Sequence, residues 1–242
     1  MEKKGTLYLI PSPLGEGGIH ALPLQVLETL FSLRYFIVER GKTVRAFLKA
    51  AGFPHPLQEL EFREINEHTP ASEIPGLLAP VLNGQSAGLL SEAGCPGVAD
   101  PGSPLVALAH RHGVEVVPLT GPSSILLALM ASGMNGQRFC FQGYLPAKKP
   151  ELLRRIKQLE QLSSREGSTQ IFIETPYRNK GMLETLLQCL APATRICIAT
   201  NLTLPGQYVR TLTAADWKKQ KTLPELDRQP TVFLIEAASF AG

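Results

Sequence analysis

The chain has 242 residues, 44% of them hydrophobic and 19% charged, with a formal net charge of +3. That composition suits one large or two compact globular domains, and so mild a charge neither demands nor opposes an anionic partner. Cys95, Cys140, Cys189 and Cys197 form no Cys-x-x-Cys pair and have no histidine at zinc-binding spacing, so neither a metal site nor a disulfide framework is expected. No apolar run approaches a membrane span, and the start Met-Glu-Lys-Lys-Gly leads into an apolar run too short for a signal-peptide core. The expectation is a soluble cytoplasmic protein without metal and without a membrane segment.

Taken in chain order, the first half alternates strand and helix. Strands are read over Thr6–Ile10, Tyr35–Val38, Ala87–Leu90 and 114–119, and helices over 22–33, 43–51, Ile74–Leu82 and 105–111, with a proline-rich passage after 51. Short apolar strands separated by helices of about ten residues mark a parallel sheet covered on both faces. Thr120-Gly121-Pro122-Ser123-Ser124 then breaks the pattern before an apolar helix over 125–131, which a serine can cap. Beyond it come strands over Phe139–Tyr144, 169–174, Arg195–Thr200, Tyr208–Thr213 and Thr231–Glu236 with few intervening helices, which suggests a mixed sheet. A charged helix over 151–160 follows Lys148 and Lys149 and carries Arg154, Arg155 and Lys157. The reading is therefore α/β: an N-terminal domain over 1–119 with a doubly wound, mostly parallel sheet, and a C-terminal domain over 120–242 with a mixed sheet.

The stretch from Ser91 to Gly102, Ser-Glu-Ala-Gly-Cys-Pro-Gly-Val-Ala-Asp-Pro-Gly, sits between an interior strand and a helix start with proline in its first turn. Loops at the carboxyl ends of parallel strands open into the crevice where such sheets bind ligands. Pro11-Ser12-Pro13-Leu14-Gly15-Glu16-Gly17-Gly18 is a second such loop. It is not a dinucleotide fingerprint, because the prolines stiffen it and remove two backbone donors, and no Gly-x-x-x-x-Gly-Lys phosphate loop is present.

Five ordered segments carry a resemblance: residues 6–15, 91–102 and 116–124, Gly143-Tyr144-Leu145-Pro146, and Glu174-Thr175-Pro176-Tyr177-Arg178. Together they resemble the tetrapyrrole-methylase-like S-adenosylmethionine-dependent methyltransferases, and within them the branch that methylates cytidine 2′-oxygens of bacterial small-subunit ribosomal RNA. The resemblance implies S-adenosylmethionine as cofactor, held in a cleft between two α/β domains, and usually a homodimer. It places Pro11, Ser12, Pro13 and Gly15 beside the cofactor, with Ser91, Glu92, Ala93, Gly94, Pro96 and Gly97 opposite them. Thr120, Gly121, Pro122, Ser123 and Ser124 would meet it at the junction. Glu174 and Thr175, after Phe172, and Thr231 and Val232 would close the cleft from the second domain.

The branch's Glu-Asp-Thr-Arg-His-Thr after the second strand reads Glu39-Arg40-Gly41-Lys42-Thr43-Val44 here, and its Glu-Leu-Thr-Lys reads Asn201-Leu202-Thr203-Leu204. Asp and Thr of the branch are replaced by Glu92 and Cys95, whereas Asn66-Glu67-His68 is retained. The chain thus resembles a divergent paralogue of the branch. Glu39, His68 and Glu92 are the candidate bases for activating a ribose hydroxyl, with Arg40 and Arg178 as electrostatic or positioning groups and Lys148, Lys149, Arg154 and Arg155 suited to phosphates. The expected function is 2′-O-methylation of ribose in RNA of the small ribosomal subunit. The alternatives are another acceptor (other RNA, a tetrapyrrole-like molecule or protein) or a catalytically silent cofactor-binding protein. A tetrapyrrole methylase would be expected to show Gly-x-Gly-x-Gly-Asp in its first loop, which Pro11 to Gly15 lacks.

Overall fold

The computed structural model describes residues 3–238, so Met1 and Glu2 of the apolar-poor start lie outside the described residues. The chain divides into two compact units, Met1–Ser123 and Ser124–Gly242. Thr120 to Ser123 accordingly go with the first unit, a little past the boundary read at 119.

The first unit runs β1 (Thr6–Ile10), α1 (Leu24–Ser32), β2 (Tyr35–Val38), α2 (Gly41–Ala50), β3 (Glu61–Glu64), α3 (Ile74–Leu82), β4 (Ala87–Leu90), α4 (Ser103–Arg111) and β5 (Glu115–Pro118). Its sheet has the order β3-β2-β4-β1-β5 with every pair parallel. Because side chains alternate along a strand, each of the inner strands β1, β2 and β4 feeds two cores. Leu7, Tyr35, Ile37, Ala87 and Leu89 meet Leu77, Leu78 and Val81 of α3 and Leu105 and Leu108 of α4. Ile10, Phe36, Val38 and Leu90 meet Val26 and Leu30 of α1 and Val44 and Leu48 of α2. Gly88 stands on this second face, where a Cβ would come within 2.8 Å of the Ile10 Cδ1. Its neighbours' side chains fill the slot.

Strand β3 escapes sequence reading because it is an edge strand with the sequence Glu-Phe-Arg-Glu, three of whose four residues are exposed. Pairing with β2 makes it a strand, and Phe62 adds a stacked ring 5.7 Å from Phe36.

The second unit runs α5 (Ser124–Ser132), β6 (Phe139–Tyr144), α6 (Lys149–Glu166), β7 (Thr169–Ile173), α7 (Asn179–Cys189), β8 (Arg195–Thr200), β9 (Tyr208–Thr213), α8 (Ala214–Lys218) and β10 (Thr231–Glu236). The order is β6-β7-β10-β8-β9, with β6 and β7 parallel and the remaining pairs antiparallel. The sheet is mixed, but helices are more numerous than the sequence suggests. α6 begins close to the start read at 151 but runs on past 160 to Glu166, where Gly167 takes a left-handed φ of 58° and closes the helix. α7 and α8 cover the sheet together with it, around Phe172, Phe233, Ile196 and Trp217. Phe172 is fully buried and stacks on Phe233 at 5.8 Å, so it faces this core.

Glu236 at the end of β10 ties the unit together. Its carboxylate accepts from the Asn135 backbone N at 2.6 Å and from Thr169 Oγ1 at 3.0 Å, and it pairs with Arg195. Burial pushes its pKa up, but these donors and the Arg195 charge outweigh that and hold it below the ordinary carboxylate value. The stabilisation is present above the unfolded-state value and is lost as pH falls through the lower folded-state one. Glu236→Gln is expected to cost about 1–3 kcal/mol near neutrality, measured by urea unfolding. The gap to wild type should shrink as pH falls below about 4.3.

Candidate functional site

The carboxyl ends of the first unit's parallel strands carry three loops that the sequence singles out, and backbone bonds join them. Ser12 and Gly94 form an antiparallel bridge, with Ser12 N donating to Gly94 O at 2.9 Å and Gly94 N to Ser12 O at 3.1 Å. Ser12 Oγ donates to Ser91 O at 2.8 Å, and Ser91 Oγ lies 3.3 Å from the carbonyls of Ala93 and Gly94. The third loop closes on the same point. A Cβ on Gly121 would stand 2.2 Å from both Cβ and Cγ of Pro11, and the Cys95 thiol donates to Pro122 O at 3.6 Å.

Gly94 and Gly97 hold positive φ of 75° and 80°, a conformation that side chains resist. It lets the 91–97 loop turn sharply and present its backbone. Pro11, Ser12, Ser91, Gly94, Pro96 and Pro122 are buried, Pro13, Gly15 and Ser123 are partly so, and Ala93, Gly97 and Thr120 are exposed.

Beside this cradle lies a carboxylate cluster. Glu39, directly after β2, accepts from the Glu92 backbone N at 3.4 Å through Oε2. Glu92 Oε1 accepts from Thr43 Oγ1 at 3.1 Å and lies 3.4 Å from Arg40 Nε. Burial raises the Glu39 pKa above the ordinary value, and the nearby charges of Glu92 and Asp100 raise it further, against the Glu92 N–H and Arg40, which lower it. Thr43 and Asp100 are members that sequence reading did not place here. The Asp-Pro-Gly of residues 100–102 was the available signal for the second, since Asp100 Oδ1 accepts from both Gly97 N at 3.0 Å and Gly102 N at 2.7 Å.

Glu39, Arg40 and Glu92 are therefore brought together, whereas His68 is not part of that group. It is exposed in the loop after edge strand β3, with Nε2 3.5 Å from Glu67 Oε1. In the second unit, Glu174 Oε1 accepts from Thr175 N at 2.7 Å and from its hydroxyl at 3.2 Å. Glu174 Oε2 is 3.0 Å from Arg178 Nη2, an ion pair too skewed to count as a hydrogen bond, so Arg178 is committed to a buried carboxylate. Val232 pairs in register with Ile173, and Thr231 shares a 2.9 Å hydroxyl contact with Thr200, which sets these residues beside Glu174. Ser124 opens α5.

The cradle can be tested against a methyl donor on its own chemistry. Residues 11–18, 91–102 and 119–124 contain no lysine or arginine but do contain Glu16, Glu92 and Asp100. Such loops repel phosphates and suit a ligand bearing a sulfonium and an ammonium group. The site residues fit S-adenosylmethionine.

A doubly wound parallel sheet with this cradle, followed by a mixed sheet, defines an α/β fold of the methyltransferase type. The solved structure of the methyltransferase CobJ superposes with a TM-score of 0.64, covering 97% of this chain and 95% of that one at 18% identity, which speaks to the fold. The chain belongs to the Tetrapyrrole (Corrin/Porphyrin) Methylases, whose family model matches residues 6–217. The family consists of S-adenosylmethionine-dependent methyltransferases. Among curated relatives, Ribosomal RNA small subunit methyltransferase I of Mesorhizobium japonicum is 34% identical over 205 residues, and the protein of the same name from Escherichia coli O157:H7 is 32% identical over 200. The alignments cover 85% and 83% of this chain and 66% of each relative, so the chain spans just under two thirds of their length.

Proposed function

We propose that this protein methylates a ribose 2′-oxygen in RNA of the small ribosomal subunit, using S-adenosylmethionine. The observation that carries the reading is the convergence of three cation-free loops on one crevice beside Glu39, in a chain similar over most of its length to proteins named for small-subunit ribosomal RNA.

When bound, S-adenosylmethionine supplies a methyl on a sulfonium, whose sulfur leaves with the bonding electron pair as the acceptor oxygen attacks in line. The loops joined at Ser12, Gly94 and Gly121 would hold the donor, and holding acceptor and methyl in line contributes up to about 7–11 kcal/mol. Glu39 accepts the 2′-hydroxyl proton as the oxygen–carbon bond forms. Its raised pKa suits it to that task, because a stronger base takes a proton more readily. Arg40 steadies Glu92 next to it. The cationic donor also offsets the crowding of Glu39, Glu92 and Asp100.

The protein acts in the cytoplasm as a homodimer in this reading. α5 is apolar around its circumference, with Ala128 and Leu129 buried and Met130 79% exposed, and a helix of that character favours a covered outer face.

Transfer of a radiolabelled methyl to small subunits, transfer RNA and total protein, each from cells lacking the gene, tests the acceptor. Label in small-subunit RNA that maps to a ribose is expected. Label confined to transfer RNA or protein would move the activity to another acceptor, and donor binding without transfer to any of them would leave a silent binding protein.

A further inference from the structure

Residues 40–58 contain no acidic residue, yet Arg40, Lys42, Arg45 and Lys49 fall within ten positions, more positive charge than the net +3 of the whole chain. The structure puts Lys42, Arg45 and Lys49 on α2, with Arg40 just before it, and leaves all four exposed. α2 buries Val44 and Leu48 against the sheet, so Lys42, Arg45 and Lys49, spaced three and four apart, share its outer face. Lys42 and Lys49 stand about 10 Å apart along the axis. Among the described residues, none of these three has a carboxylate within ion-pair distance, while at the helix start Glu64 Oε1 accepts from Gly41 N at 2.8 Å and Glu92 Oε1 from Thr43 Oγ1 at 3.1 Å. Arg45 is held in place by the Phe62 ring, 4.6 Å from its guanidinium carbon.

The basic helix favoured by the sequence is different. On α6, Arg155 donates to Gln142 Oε1 at 2.7 Å, and just before the helix Lys148 lies 3.9 Å from Glu151. Glu151, Glu160 and Glu166 also dilute its charge.

We infer that the outer face of α2, formed by Lys42, Arg45 and Lys49 with Arg40 at its crevice end, is the track on which RNA phosphates lie as the acceptor ribose enters beside Glu39. The charge is complementary, and the helix begins at the crevice, directly after β2. This inference rests on the reading of RNA as acceptor and names the surface that would hold it. The loops that would receive the cofactor carry no cation, so the charge needed to hold RNA has to come from outside them.

The test is a salt titration of binding to small-subunit ribosomal RNA from cells lacking the gene, comparing wild type with K42Q/R45Q/K49Q. The slope of log affinity against log salt should fall by about 2, at about 0.7 for each single-strand phosphate that is no longer neutralised, with affinity weakened about tenfold. KM for the RNA should rise in step, with kcat and S-adenosylmethionine binding held. K42R/K49R should keep the wild-type slope, and K149Q/R154Q/K157Q on α6 should too. A wild-type slope in the α2 triple variant, with its methylation intact, would overturn the track and leave the acceptor reading standing. A wild-type protein that neither binds nor methylates the RNA would overturn both.

Discussion

Glu39→Gln is expected to slow methyl transfer to RNA by about 10²–10⁴-fold, the range typical of a positioned general base, while S-adenosylmethionine still binds. The substitution keeps the size of the side chain and its contact with the Glu92 N–H, so the slower rate would report proton transfer. The wild-type rate should rise with pH through the elevated Glu39 pKa, and this limb should vanish in the variant. Stability should move the opposite way. A carboxyl whose folded-state pKa is raised stabilises fully only below its unfolded value, about 4.3, and charging it opposes folding increasingly as pH rises through the folded-state value. Gln stays neutral, so the variant should melt higher than wild type at pH 7 to 8 and converge with it near pH 4. Unchanged turnover would remove Glu39 from the chemistry, and an unchanged melting difference across that pH range would remove the account of its burial.

Gly121→Ala should disable the donor site from the opposite direction, by steric conflict. The added methyl would overlap the Pro11 ring, with 2.2 Å to each of two ring carbons. A proline ring has no rotamer by which to yield. Gly121 is outside the left-handed region, so alanine meets no backbone strain of its own and the whole effect lies in the clash. Overpacking of this kind costs about 1–3 kcal/mol, which corresponds to roughly 5- to 150-fold weaker S-adenosylmethionine binding if the loops relieve it by parting. Calorimetric titration with S-adenosylmethionine measures it. Wild-type affinity would mean that the contact between the first and third loops plays no part in holding the donor.

The strands of both sheets were legible because they are apolar and short, and glycine and proline punctuate them. β1, β2, β4, β6, β8, β9 and β10 have the ends read from the sequence for that reason. β3 does not, since a charged edge strand becomes one only through its partner's hydrogen bonds. α7 and α8 escape sequence reading because α7 opens on Asn179, Lys180 and Gly181 and α8 is only five residues long. At the site, the loops could be read from their glycines and prolines, but the meeting of Ser12 with Gly94 joins residues 82 positions apart and has no local signature. The pairing of Arg178 with Glu174 is visible as a spacing of four, but its burial is not. The exposed face of α2 needed the structure because the same four cations could have faced anywhere along an irregular segment.

The bridge between Ser12 and Gly94 has a consequence for divergence. Main-chain groups make it, so what the donor cradle demands of its sequence is glycine where the loops turn or touch, as at Gly94 and Gly121, and not particular polar side chains. Residues outside that bridge can then be exchanged, as Arg40 illustrates beside the branch the sequence resembles, without breaking the main-chain contact between the loops. A scaffold divided in that manner is free to take up new acceptors while keeping an old donor.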